Sequence, residues 1–501
     1  MGKIVNITFG ILLLLCSGCH PKQGGSDEPN TDPQPQPSAE GVMTYVSTAD
    51  NTMHFETVSR NFKEGLNMDV EKTLYLKPEQ TYQQFDGFGI ALNGSACYNL
   101  MQMAADQRHD LLVRTFDVEK GMGYSATRIS IGASDFSLSD YTCWDNKDNP
   151  FALTAEETEY VIPVLKEVLA INPTIQIMGS PWTCPRWMKV NNLTDKQPYT
   201  AWNGGYLNPN LYEEYASYFV NWIQAFETAG VPIASITIQN EPLNWGNSES
   251  LYMEWKQQRD FVKVLGPAVR NAGLQTKIIV FDHNYNYDGK ADQQQYPLKI
   301  YNDATAAQYI DGAAYHNYGG NSSELDVIHK GAPTKNLYFT EASIGTWNYR
   351  SYGQSFLDIA DNVCFQPALR WCKSSVMWNF MLDSHPEEGP YRPGGCSTCY
   401  GAVQIDYRDY SSLMYRSTYY VMGQMSKVLR TGSTRIGTSG YLPSGVQAVA
   451  SANPDGTYGL VLFNKSLAAV KMVVDDGQRA FELTLPAESL TSCLWKITNN
   501  Q

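Results

Sequence analysis

Two glutamates carry residue types and positions that can do chemistry. Glu241 sits in Gln239-Asn240-Glu241-Pro242 and Glu341 in Phe339-Thr340-Glu341-Ala342-Ser343, each at the end of a short apolar, β-branched run. Carboxylates that share a cleft can split an acetal: one protonates the departing oxygen while the other attacks the carbon it leaves. Either Glu alone would pass for a surface or salt-bridged residue. Their shared position at strand ends singles them out. Other chemistries find less support. Asp282-His283 has the residue types of a metal site, but no further ligands follow at metal spacing. Cys396-Ser397-Thr398-Cys399 is a lone C-x-x-C in a Gly/Pro-rich loop (RPGGCSTCYG), where a local disulfide or two free thiols are expected rather than zinc. No metal and no cofactor are implied, since two carboxylates and water suffice.

The elements that must hold such a pair recur along the chain. Eight runs have strand character: 84–91 (QFDGFGIA), 126–132 (ATRISIG), 175–181 (IQIMGSP), 234–240 (ASITIQN), 277–283 (KIIVFDH), 312–316 (GAAYH), 336–342 (NLYFTEA) and 375–380 (SVMWNF). Helix-like stretches such as 155–169, 211–229 and 251–272 lie between them. Eight β-then-α units predict an α/β chain with a (β/α)8 TIM barrel, whose site lies at the carboxyl ends of the strands. There the sequence turns polar and aromatic, at Trp182, Asn240, Glu241, His283, His316, Glu341 and Trp378. The fourth and seventh runs face one mouth, so both glutamates can point into one cleft. After 420, alternating runs at 445–452, 458–464, 470–474, 480–485 and 493–498 predict an attached β-sandwich. The expected boundaries are 42–80 for N-terminal strands joining the sandwich, 81–418 for the barrel and 419–501 for the sandwich.

The N-terminus reads as an address. Residues 7–15 (ITFGILLLL) follow Lys3 and are too short to span a bilayer, which takes about 20 residues. Leu15-Cys16-Ser17-Gly18-Cys19 resembles a bacterial lipoprotein cleavage site, with residues 1–19 as leader and Cys19 as the lipidated residue. Residues 20–41 (within them GGSDEPNTDPQPQPSAEG) cannot build a core and read as a Pro-rich tether. The chain is therefore expected to be exported and to touch membrane only through its lipid. Ten cysteines suit an exported protein, although their spacing fixes no pairing. A net charge of −14 without a basic cluster argues against nucleic acid. With 43% apolar and 18% charged residues the chain is globular, and its 32 Tyr, 11 Trp and 18 Phe suit either a core or a sugar cleft. Oligomeric state is left open.

Longer stretches carry a resemblance. FDGFGIALNGSA (85–96), RISIGASDFSLSDYT (128–142), GSPWTCPRWMK (179–189), AAYHNYGG (313–320), YYVMGQMSKVLRTGSTRIG (419–437) and LPAESLTSCLW (485–495) resemble glycoside hydrolase family 30, the family of glucosylceramidases and β-1,6-glucanases. The resemblance implies Glu241 as general acid/base and Glu341 as nucleophile of a retaining glycosidase. It implies Asn240 as a partner of the substrate 2-hydroxyl, Arg128 beside the nucleophile, Trp182 and Trp378 at the sugar subsite, and His316 and Tyr318 near the nucleophile. Glucosylceramidases carry a Thr-Asp pair where this chain has Asn93-Gly94, so Asn93 would offer a weaker sugar contact. Together with the tether, this departure favours an endo-β-1,6-glucanase over a glucosylceramidase, exo-β-glucosidase or β-xylosidase. A surface glycan-binding protein without catalysis is the alternative of another class.

Overall fold

A computed structural model describes residues 41–63, 70–247, 249–348, 351–385 and 394–498. The expected leader, Cys19 and the expected tether up to residue 40 lie outside the described residues, and Gly41 already begins the first strand. Among the described residues no helix is long and apolar enough to cross a membrane.

The eight expected runs are the eight strands of a closed parallel barrel. In chain order they are Gly87–Ile90, Ala126–Ser130, Gln176–Ser180, Ser235–Thr237, Lys277–Asn284, Ile310–His316, Asn336–Glu341 and Cys372–Met377. They are called here barrel strands one to eight. Helices follow where expected, for example Tyr212–Thr228 and Trp255–Asn271. Strand packing is close enough to dictate residue type. A Cβ on Gly89 would lie 1.9 Å from the Ala126 carbonyl oxygen of the neighbouring strand, so only glycine fits there.

The barrel interior changes character from bottom to top. Met178, Ile279, Ala314 and Tyr338 form a buried apolar cluster on strands three, five, six and seven. Two residues further along strands three, six and seven stand Ser180, His316 and Thr340. On strand five the same step would give Phe281. Instead the pairing with strand six slips between Phe281 and His283, and both Phe281 and Asp282 take positive φ (71° and 76°). This irregularity turns Asp282 into the polar layer, as β-bulges beside functional sites do.

The second region is a nine-stranded sheet built from both ends of the chain. Its order is His54–Asn61, Gly41–Thr48, Ser489–Lys496, Thr457–Asn464, Val446–Ala452, Thr434–Gly440, Thr73–Gln84, Val470–Asp475 and Ala480–Leu485. Strict alternation divides its side chains between two cores. Tyr458, Leu460 and Leu462 join Cys493 and Trp495 in the sheet's own core, while Val461 and Phe463 join Leu490 and Leu494 in the core shared with the barrel. The expected sandwich boundary at 419 falls inside a helix. Ser417–Val428 is helical and buried at every residue, with the Tyr419 carbonyl accepting a 2.6 Å hydrogen bond from the Tyr124 hydroxyl of the barrel. A helix buried all round packs two partners at once, here barrel and sheet, so its sequence shows no polar face. Cys396 and Cys399 form a disulfide, and Cys97, Cys143, Cys184, Cys364, Cys372 and Cys493 are buried free thiols.

Candidate active site

Glu341 ends barrel strand seven, and Glu241 follows strand four by a few residues, in a left-handed conformation (φ 46°) that costs a non-glycine residue about 1–3 kcal/mol. Hydrogen bonds from the Glu241 amide to the Asp282 carbonyl (3.0 Å) and from the Asn240 amide to the Pro181 carbonyl (2.8 Å) hold that turn. The outcome is a meeting of carboxylates. One oxygen of Glu241, one of Glu341 and a ring nitrogen of His316 all lie within 4.8 Å of one another.

Arg128, fully buried on strand two, ties the layer together. Its guanidinium donates to Glu341 Oε2 (2.5 Å), Asn240 Oδ1 (2.7 Å), Asp282 Oδ2 (2.8 Å) and Ser180 Oγ (3.0 Å). Because arginine only donates, the Asn240 oxygen must face it, which leaves the Asn240 amide N–H groups for another acceptor. Tyr318 donates its hydroxyl to the other oxygen of Glu341 (3.0 Å). Glu341 thus has a donor on each oxygen. Glu241 is held differently: Asn244 (2.7 Å) and Asn247 (3.1 Å) donate to Oε2, and His316 Nδ1 lies 3.3 Å from Oε1.

Asp282 is the hub beneath them. Its carboxylate accepts from Arg128, from Thr237 (2.6 Å) and Thr340 (2.6 Å), and lies 3.0 Å from His316 Nε2. Burial opposes its charge, but Arg128 and His316 outweigh that and keep it ionised well below the usual range. For His316, burial pulls the pKa down, yet the Glu341 charge and the bonds to Asp282 and Glu241 raise it to about 9. Burial likewise opposes charge on Glu241, and the His316 hydrogen bond with the His283 and His316 charges brings it to about 2. Glu341 is raised by burial and by the charges of Glu241 and Asp282, against His316 and Arg128. At rest, one proton is therefore held on His316 against Glu241.

Trp182 and Trp378 are stacked at 5.0 Å, with Arg128 4.9 Å and 5.4 Å from their rings. Both are almost wholly buried, and both indole N–H groups lack a partner. A buried orphan donor in each ring, beside the Arg128 that holds Glu341, suits a hydroxyl-bearing ligand. Asn93 is placed otherwise than its expected sugar contact would require. Fully buried, it caps the helix Gly94–Gln102 by accepting from the Ala96 amide (3.0 Å) and donates to Asn379. Its amide is committed to the protein.

Four residues that the sequence reading passed over belong here. Asp282 was noted only as half of a metal pair without further ligands, and the irregularity that points it inward has no sequence signature. Asn244 and Asn247 follow Glu241 in a loop. Asp135 lies just past strand two in the stretch ASDFS, with its carboxyl pushed up by the surrounding protein and by the charges of Glu341 and Glu241.

Comparison with known proteins shows the family. Residues 85–426 match the glycosyl hydrolase family 30 TIM-barrel domain and residues 432–493 that family's β-sandwich domain. An endo-1,6-β-D-glucanase of Trichoderma harzianum is 32% identical over 461 residues, covering 87% of this chain and 89% of the relative. The lysosomal acid glucosylceramidase of Mus musculus is 26% identical over 84% of this chain and 83% of its own. Among solved structures, an endo-β1,6-glucanase superposes with a TM-score of 0.87 at 49% identity, covering 91% of this chain and all of the other. The barrel match alone spans more than half of the sequence, and the chain belongs to glycosyl hydrolase family 30.

Proposed function

We propose that this chain is a retaining endo-β-1,6-glucanase that works by double displacement, with Glu341 as nucleophile and Glu241 as acid/base. The observation that carries the mechanism is the approach of the two carboxylates to within 4.8 Å. Retaining enzymes hold their pair about 5–5.5 Å apart, and inverting ones about 6.5–9.5 Å to admit a water. The two assignments rest on the donors: Arg128 and Tyr318 favour a charged Glu341, while Glu241 shares a proton with His316. When Glu341 attacks the anomeric carbon, that carbon's bond to the leaving oxygen breaks and the proton held between His316 and Glu241 passes to the oxygen. Once Glu341 is esterified its negative charge is gone. That charge does more than any other neighbour to raise His316, so its loss keeps Glu241 ionised after it has given up its proton; Glu241 then takes a proton from a water whose oxygen bonds the anomeric carbon as the bond to Glu341 breaks. Asn240, freed to donate, would reach the 2-hydroxyl, and the orphan indoles of Trp182 and Trp378 would meet other hydroxyls.

The substrate reading is supported by the β-1,6-glucanases in both comparisons. The committed Asn93 agrees with it, because no carboxylate is available there to seat a terminal glucose. Export on a lipid anchor at Cys19 is supported by the apolar leader and the tether. Product analysis on β-1,6-glucan, β-1,3-glucan, xylan and glucosylceramide tests the reading. A ladder of oligosaccharides from β-1,6-glucan alone is expected; turnover of only the lipid or a short glycoside would overturn the substrate and keep the mechanism.

A further inference from the structure

Beside the nucleophile strand a cavity of about 380 Å3 opens between the loops that follow strands six and seven. Tyr318 joins it to the catalytic centre: the hydroxyl donates to Glu341 while the residue also lines the cavity. The walls carry side-chain amides, Asn317, Asn321 and Asn362 among them, which can donate and accept as sugar hydroxyls do. At its edge stands Trp347, the most exposed tryptophan among the described residues, at 54%.

An exposed tryptophan ordinarily swings freely; this one is laid on a backbone. A Cβ on Gly345 would fall 2.0 Å from the Trp347 ring, so the ring rests against the bare glycine. The glycine is fixed in turn. Ile344–Gly345 pairs antiparallel with Cys399–Tyr400, Thr346 donates to the Thr398 carbonyl (2.8 Å), and the Cys396–Cys399 disulfide closes that partner loop. Asn348 adds a 2.9 Å hydrogen bond from the Gly345 amide. One ring face is thus backed by protein and the platform is held before any ligand arrives, which lowers the entropy lost on binding.

We infer that Trp347 and this amide-lined cavity form a second carbohydrate subsite, which holds a glucosyl unit beyond the one at the carboxylates. The inference rests on the endo-glucanase reading and deepens it. A β-1,6 linkage has one more rotatable bond than a ring-to-ring linkage, so the chain can bend over Tyr318 into a cavity set to one side.

The test uses Trp347→Ala with β-1,6-linked oligosaccharides of two and four units, soluble β-1,6-glucan and an aryl β-glucoside. In a Glu341→Gln background, calorimetry should show tetrasaccharide affinity falling about tenfold on loss of Trp347, with the disaccharide changing far less. In the active enzyme, the ratio of kcat/KM for polymer over aryl glucoside should fall by a similar factor. Equal effects at both lengths, or none, would overturn the subsite while cleavage of β-1,6-glucan upheld the glucanase reading. If neither cleavage of β-1,6-glucan nor binding of its tetrasaccharide is seen, both readings fall together.

Discussion

The barrel mouth and the sandwich solve opposite problems with the same strand. In Thr457–Asn464 every residue is buried, yet the arrangement is regular: alternate side chains serve two apolar cores and the backbone pairs in register along its length. At the mouth, strand five breaks register at Asp282, Glu241 and Asn379 sit at positive φ, and a buried arginine meets two carboxylates. The mouth departs from local rules where an inward polar group is required, and the regular region bears no such demand. Strain of this kind is stable only because surrounding structure over-determines it.

Substitutions sharpen the contrast. Glu341→Gln should lower kcat by about 10^4-fold or more, measured on any glycoside, with little change in melting temperature. Glu241→Gln should lose comparable activity on poor leaving groups and recover with an activated aryl leaving group; lack of recovery would remove its acid role. Asp282→Asn should cost on the order of 10^2-fold in kcat, because Arg128 and His316 lose their shared anion. Stability should drop with it, unlike Glu341→Gln, and circular-dichroism melts would show this.

In the sandwich the effects should separate the other way. Leu462→Ala removes a fully buried side chain and should cost about 2–5 kcal/mol of stability by denaturant titration, while kcat per folded molecule stays within about twofold. A large loss of kcat would mean that the sheet does more than support the barrel.

The smallest effect expected is on pH. His316 is raised from 6.5 to about 9, so its stabilisation is complete below pH 6.5 and is lost as pH rises through 9. Melting temperature should decline across that window, and activity should show its alkaline limb near 9. Asp282→Asn should shift the limb downward, since Asp282 is among the charges that raise His316. A limb that stays in place would assign it to another group.

Much of the molecule was readable in one dimension. Period-two and apolar runs located all eight barrel strands, because parallel strands buried on both faces leave no polar interruption. Glu241 and Glu341 were readable because the apolar run of strand four stops just before Glu241 and strand seven ends at Glu341. The helix Ser417–Val428 was misjudged as sandwich because burial on all sides erases amphipathicity, and Ser489–Lys496 begins four residues before the run expected at 493. Tertiary structure alone decided three things. A slip of one residue between strands five and six made Asp282, rather than Phe281, the base of the site. Closure of the barrel brought carboxylates from strands four and seven within 4.8 Å, a distance no sequence spacing encodes. Capping spent Asn93 on a helix end, where its type would equally have suited a sugar. The sequence determined which elements form and which residue types end them, because those follow from local periodicity. Which of those residues meet, and which are already occupied, depends on how the chain closes on itself.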